Sequence, residues 1–234
     1  MLPTLVLLPG MDGTGELFAP FCAALGDDIE TIRVRYPTNE MLGYGELTAV
    51  ARSWLPADKP FVLLAESFSG PIAVLLAATK PTGLVGLILC ASFVRNPRPA
   101  LGALTSVLQS LSFNGVPKRL VHSLLLGGSA TKDVRDDLDR VLKNVEKRVL
   151  FHRLRSIADV DVRQQLDQIE IPGMYLRATN DRLVPPASSR PFESLTPRWA
   201  IREIAAPHLV LQVAPRSAAR EVREFVESIA PRVR

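Results

Sequence analysis

Between Phe61 and Ala78 an apolar run, Phe-Val-Leu-Leu-Ala, breaks at Glu-Ser-Phe-Ser-Gly and resumes as Pro-Ile-Ala-Val-Leu-Leu-Ala-Ala. A short apolar run without polar alternation reads as a strand buried on both faces, and the longer run after it reads as a buried helix. The join carries its own constraint. A serine on a sharp strand-to-helix turn sits in strained backbone that admits only small residues two positions away, and Ala65 and Ser69 satisfy that around Ser67. A plainer reading is a strand and a helix whose N-cap is Ser67 or Ser69, with no chemistry, so residues elsewhere must decide.

The same alternation of strand and helix runs through the first ninety residues. Strand patterns at Thr4 to Leu8, Glu30 to Val34, Phe61 to Ala65 and Leu84 to Ala91 alternate with helical spacing at Glu16 to Leu25, Gly45 to Leu55 and Gly70 to Ala78. Strands joined by helices of this length imply crossover connections and a parallel sheet covered on both faces, with ligands bound outside the carboxyl ends of the strands. After Ser92 the pattern is helical only: Leu101 to Leu111, Pro117 to Leu126, and a charged stretch from Lys132 to Ile157. Alternation returns with a strand at Met174 to Ala178, a helix near Ser188 to Leu195, a strand at Ala200 to Ile204 and a helix from Arg216 to Ile229. The expected organisation is an α/β core in two parts, residues 1–91 and 166–234, with a helical cap inserted at 92–165 over the carboxyl edge.

Charge and composition narrow the partners. The net charge of +4 divides into −4 for residues 1–91, +6 for 92–163 and +2 for 164–234, so the basic character lies in the helical insertion. A solvated helical face and an electrostatic guide for an anionic substrate or acidic carrier both fit this bias. No dense basic stripe with interleaved aromatics appears, which argues against nucleic acid as a partner. Apolar runs are too short to cross a bilayer, and the N-terminus has no leader pattern, so the cytoplasm is the expected location. Cys22 and Cys90 are read as core thiols.

A serine hydroxyl is a weak nucleophile and needs a base, which in turn needs an orienting acid. Of three histidines, His122 and His152 fall in cap helices, whereas His208 sits in a loop after the last strand, in Ala-Pro-His-Leu-Val-Leu. Asp181, in Thr-Asn-Asp-Arg-Leu-Val-Pro, lies just beyond the preceding strand, while Asp159, Asp161 and Asp167 come before it. Taken singly, Asp181 could be a turn residue and His208 a loop residue. Together Ser67, Asp181 and His208 follow the chain order of one known triad arrangement. An oxyanion hole can be built from the amide of Met11, on the loop Leu-Pro-Gly-Met-Asp-Gly-Thr-Gly after the first strand, and the amide of Phe68. Leu104, Leu108 and Leu111, at helical spacing in the cap, are candidate acyl-pocket residues. Glu66 is expected beneath the elbow, turned away from substrate.

Gly13-Thr-Gly15 resembles part of a dinucleotide fingerprint, but Phe18 stands where a third glycine belongs and no acid ends the second strand. No lysine follows the glycines as a phosphate loop requires, and no His/Cys/carboxylate cluster has metal-ligand spacing. No cofactor and no metal are therefore expected.

Through Pro-Gly-Met-Asp-Gly-Thr-Gly, Ala-Glu-Ser-Phe-Ser-Gly, Thr-Asn-Asp-Arg-Leu-Val-Pro and Ala-Pro-His, the chain resembles the α/β-hydrolase superfamily along nearly its whole length. Its cap and the segment Asp159-Val-Asp-Val-Arg-Gln-Gln-Leu are similar to those of pimeloyl-carrier-protein methyl ester carboxylesterases. That resemblance implies an α/β-hydrolase fold with a mainly parallel sheet of about six strands, Thr4 to Leu8 matching the family's third strand. It also implies a serine carboxylesterase acting on a small ester. In kind only, Arg135, Arg140, Lys143 and Lys147 correspond to a basic cap receiving an acidic acyl carrier protein. Pro9-Gly10 replaces the family's His-Gly, and Asp-Gly-Thr-Gly looks like the plant phytyl ester synthases. An acyltransferase using the same acyl-enzyme, or a binding protein that retains the fold, stays open beside the esterase.

Overall fold

The computed structural model describes residues 2–98 and 117–230. Six strands, β1 (Thr4–Leu8), β2 (Thr31–Arg33), β3 (Phe61–Glu66), β4 (Leu84–Cys90), β5 (Gly173–Ala178) and β6 (Trp199–Ile204), form one sheet. Its order is β2-β1-β3-β4-β5-β6. Every described pair is parallel, so the sheet is parallel throughout rather than mainly so.

The period of two along each strand sorts the core into two layers. Val6 and Leu8 of β1, Leu63 and Ala65 of β3, and Leu87 and Leu89 of β4 face one cluster. That cluster also takes Leu47 from helix α2 (Tyr44–Arg52) and Ile72 and Leu76 from helix α3 (Gly70–Ala78). The alternate residues Leu5, Leu7, Val62, Leu64 and Ile88 face a second cluster. There they meet Phe21 and Leu25 of helix α1 (Ala19–Leu25) and Val222 and Val226 of the C-terminal helix Pro215–Ile229. Both layers are needed because β1 and β3 carry no polar face, each being buried at every position. Cys22 and Cys90 are free thiols, as expected, and burial pushes both thiol pKa values up.

Several element limits shift for identifiable reasons. The helix expected over Glu16 to Leu25 opens as a 3₁₀ turn, Glu16–Phe18, and becomes α-helical only at Ala19. Pro20, which lacks an amide hydrogen, then stands in the first turn, where none is needed. The charged stretch expected from Lys132 to Ile157 is two helices. The first, α5 (Lys132–Lys143), is capped by the Thr131 hydroxyl accepting from the Val134 amide at 3.4 Å. The second, α6 (Lys147–Asp159), restarts after Glu146, whose backbone is extended at φ −61° and ψ 134°.

With α4 (Lys118–Leu125), these helices form the described part of the segment between β4 and β5. They bring two small apolar clusters, one around Leu126, Leu138 and Val141 and another around Val145, Val149 and Leu150. The expected helix Leu101 to Leu111, and with it Leu104, Leu108 and Leu111, lies outside the described residues. Among the described residues no helix is long and apolar enough to cross a membrane.

Candidate active site

Ser67 follows directly on β3 and has φ 49°, the left-handed region that costs an L-residue free energy and persists only where its surroundings enforce it. Enforcement comes from both sides of the turn. The Ser92 hydroxyl donates to the Ser67 carbonyl. A Cβ on Gly70 would lie 1.9 Å from Ser92 Oγ, so only glycine lets β4's end pack against the start of α3. Ser69 does more than stay small: its hydroxyl donates to the Pro9 carbonyl and, at 2.9 Å, meets the Tyr36 hydroxyl, which must then be the donor.

The three candidate residues form one hydrogen-bonded chain. Asp181, in the loop after β5, accepts from the Leu183 and Val184 amides at 2.7 and 2.9 Å through Oδ1. Its Oδ2 lies 2.7 Å from His208 Nδ1, and both side chains are buried. The carboxylate accepts a hydrogen bond from the Nδ1–H, which leaves the Nε2 lone pair toward Ser67 Oγ, 2.7 Å away. The loop after β6 supplies His208, so three parallel strands deliver the set at their carboxyl ends.

Ser67, His208, Met11 and Phe68 all border a cavity of about 440 Å³. Among the described residues the Met11 amide donates to no other group, and the Phe68 amide opens the turn that leads into α3. The helices between β4 and β5 supply Leu124, Leu125, Leu138, Leu142, Leu154 and Ile157 as an apolar wall. The leucines singled out from the sequence fall outside the description, and these six stand where a pocket was expected.

Behind the elbow, Glu66 is buried, accepting from Gln212 Nε2 at 3.2 Å, as its expected orientation requires. Burial first, then the neighbouring Asp12, pushes its carboxyl up to about 8, against a smaller opposing effect of Gln212. Asp12 is buried too and raised by desolvation, although the Thr14 hydroxyl and amide bind its Oδ2 at 2.7 and 2.9 Å. His122 pairs with Asp139 at 2.8 Å within the cap, away from the triad. Asp161 is taken by Arg163. Among the described residues no group of three metal-ligating side chains exists.

Arg153 escaped the sequence reading. It is fully buried on α6, with Nη1 donating to the Met11 and Asp12 carbonyls at 2.9 and 3.0 Å and Nη2 to the Pro37 carbonyl at 2.8 Å. Its signal was present: Arg153 follows Val149 by four residues, which sets a charge on the apolar stripe of an otherwise amphipathic helix.

A parallel sheet of this order, with serine, histidine and acid gathered at the carboxyl ends of its strands, defines an α/β-hydrolase. The chain belongs to the serine aminopeptidase, S33 family, matched over residues 47–217. It is 34% identical over 135 residues to phytyl ester synthase 1 of Arabidopsis thaliana, covering 53% of this chain and only 19% of the plant protein. It is 25% identical over 250 residues to the pimeloyl-[acyl-carrier protein] methyl ester esterase of Stenotrophomonas maltophilia K279a, covering 98% of this chain and 95% of that protein. Among solved structures, a hydrolase from Pseudomonas aeruginosa PA01 superposes with a TM-score of 0.81 at 17% identity, over 96% of this chain and 90% of that one. An esterase from Exiguobacterium antarcticum gives 0.81 at 13% identity, over 96% and 92%. The chain is a hydrolase of this fold.

Proposed function

We propose that the protein is a serine carboxylesterase working through an acyl-enzyme on Ser67. The observation that carries this reading is the continuous hydrogen-bonded path Asp181–His208–Ser67, ending on a strained serine at the floor of an apolar cavity. Ser67 Oγ attacks the ester carbonyl while His208 Nε2 takes its proton, and the amides of Met11 and Phe68 receive the oxyanion. Collapse expels the alkoxide, which takes the proton back from His208. Water, deprotonated by the same nitrogen, then attacks the acyl-enzyme and releases the acid. Asp181 holds the imidazole in the required tautomer throughout.

The cavity is mostly apolar and disfavours a cationic acyl group. Asp12 is the one carboxylate among its described lining residues, and its Oδ2 is occupied by Thr14. An α-ammonium group, which peptide cleavage from the amino end must hold, would find no free anion there. Docking of an acidic carrier protein gains less from the cap than its composition suggests, since Lys132 pairs with Asp136 and Arg140 with Asp137 and Glu16. A small free ester is therefore the substrate class proposed. Burst release from a p-nitrophenyl ester tests this: the burst should vanish in Ser67→Ala, and an equal steady rate in both proteins would overturn the mechanism.

One observation supports a second reading. The Asp12-Gly13-Thr14-Gly15 loop, shared in kind with the phytyl ester synthases, and the leucine-rich cap wall would let an alcohol rather than water remove the acyl group. The ratio of transfer to hydrolysis with added long-chain alcohol separates the two.

A further inference from the structure

We infer that Arg153, a cap residue remote in sequence from the triad, is a positioning residue that sets the geometry of the oxyanion hole from across the cavity. This rests on the esterase reading above. A guanidinium with no exposure is costly unless its donors are used, and here two of its nitrogens are aimed at three main-chain carbonyls. Two of those carbonyls, of Met11 and Asp12, belong to the two peptides that follow the one carrying the Met11 N–H, whose own carbonyl on Gly10 accepts from the Gly13 amide at 3.0 Å. The clamp therefore holds the donor from the adjoining peptide of the same tight turn. Room for the clamp is built into the loop: a Cβ on Gly13, at φ +75°, would stand 2.5 Å from Arg153 Nη1.

A second set of contacts closes the circuit onto the elbow. The Arg153 guanidinium lies over the Tyr36 ring at 5.7 Å, the Tyr36 hydroxyl donates to Ser69, and Ser69 donates to the Pro9 carbonyl at the root of the same loop. The two proposed oxyanion donors, on Met11 and Phe68, are thus held in register by one polar network. It runs from α6 through Tyr36 to the residue two places after the nucleophile. Apolar packing of the cap alone would not fix the orientation of the Met11–Asp12 peptide, to which the peptide bearing the Met11 N–H is joined, because the hydrophobic effect has no direction. Planar, forked donors do.

The network makes the cap part of the transition-state machinery as well as the pocket wall. Arg153→Lys keeps the charge but replaces the fork by a single ammonium that cannot span all three carbonyls. A misplacement of about 1 Å costs on the order of a hundredfold in rate. We expect kcat per site, counted by titration with a fluorophosphonate, to fall by about ten- to a hundredfold, with KM changed by less than about threefold. Binding of a trifluoromethyl ketone carrying the same acyl group should weaken by the same factor, and binding of the product acid should not. A merely structural role would lower the titratable fraction or the melting temperature and leave kcat per site and the ketone-to-acid selectivity as they were. That result overturns the inference.

If Arg153→Lys does not fold, Gly13→Ala retains the arginine, sets a Cβ against its guanidinium and strains the same loop at φ +75°, so kcat per site should fall there too. An unchanged kcat per site there overturns it equally. Failure of the esterase reading is a separate outcome, seen as turnover that survives in Ser67→Ala with Arg153 intact.

Discussion

The α/β core and the helices described between β4 and β5 are built on different principles. Among the described residues, each face of the sheet carries an extensive apolar cluster whose members are mostly without exposure, whereas the helices between β4 and β5 share in two small clusters of six and three buried residues, the six including Leu17 and Leu209 from the core side. The core orders itself by burial. The cap depends on Leu17 and Leu209 from the core side, on Met11 packed against Val149 and Leu150's cluster, and on the buried guanidinium of Arg153. On the proposed reading the nucleophile, base and acid sit on the densely packed sheet core, the described pocket wall comes largely from the helices between β4 and β5, and Arg153 ties the two together.

The sharpest test of this division lies in the core. Asp181→Asn leaves the packing of a buried, paired side chain almost unchanged but removes the acceptor that fixes the His208 tautomer. The expected loss is about 10⁴-fold in kcat, with little change in KM. A loss below tenfold would break the assignment of reactive groups to the core. Next in size, Leu63→Ala in the centre of β3 should cost about 2–5 kcal/mol of global stability, read by urea unfolding. The matched change Leu138→Ala in the cap should fall at or below the lower end of that range and act mainly on KM for apolar esters. Equal costs at the two sites would show that the cap is as tightly integrated as the sheet. Leu154→Phe, which fills part of the cavity, should move the preferred acyl chain shorter. Each methylene excluded is worth about 0.8 kcal/mol of binding, a change of roughly fourfold in KM per carbon.

Legibility in the sequence followed the same line. Strands β1 and β3 could be placed from their unbroken apolar runs, and the elbow from Ser67 between two small residues, because burial on both faces and backbone strain each leave a local mark. Asp181 and His208 were legible from where they stand after β5 and β6, although nothing local brings them within hydrogen-bonding distance of Ser67. Arg153 was not legible as a partner of Met11. Its contacts span 142 residues, and only tertiary packing of α6 on the loop makes them. The break at Asn144–Glu146 between α5 and α6 was missed for a related reason: helical spacing continues across it, while the Glu146 amide is drawn away to the Thr38 carbonyl at 2.9 Å.

The smallest effect expected on turnover comes from the polar groups that the core buries beneath the elbow. Glu66 titrates at about 8 in the folded protein against an ordinary value of 4.5, so between those values the unfolded chain has released a proton that the folded chain still holds. Fewer protons on the unfolded state means that stability falls as pH rises through this window, and it levels off above the folded value. The decline should be on the order of 1 kcal/mol per pH unit, read from urea unfolding at about pH 5 and pH 8. Glu66→Gln can keep the bond to Gln212 and cannot ionise, so its stability should change less over the same interval. Asp12, raised in the same direction by its own burial, leaves a residual slope in that variant. Since Glu66 lies under the nucleophile without touching the cavity, kcat should stay insensitive to this substitution. A variant with the same pH slope as the wild type would show that the folded core admits the Glu66 charge, and the account of the core as ordered by burial would then fail at its centre.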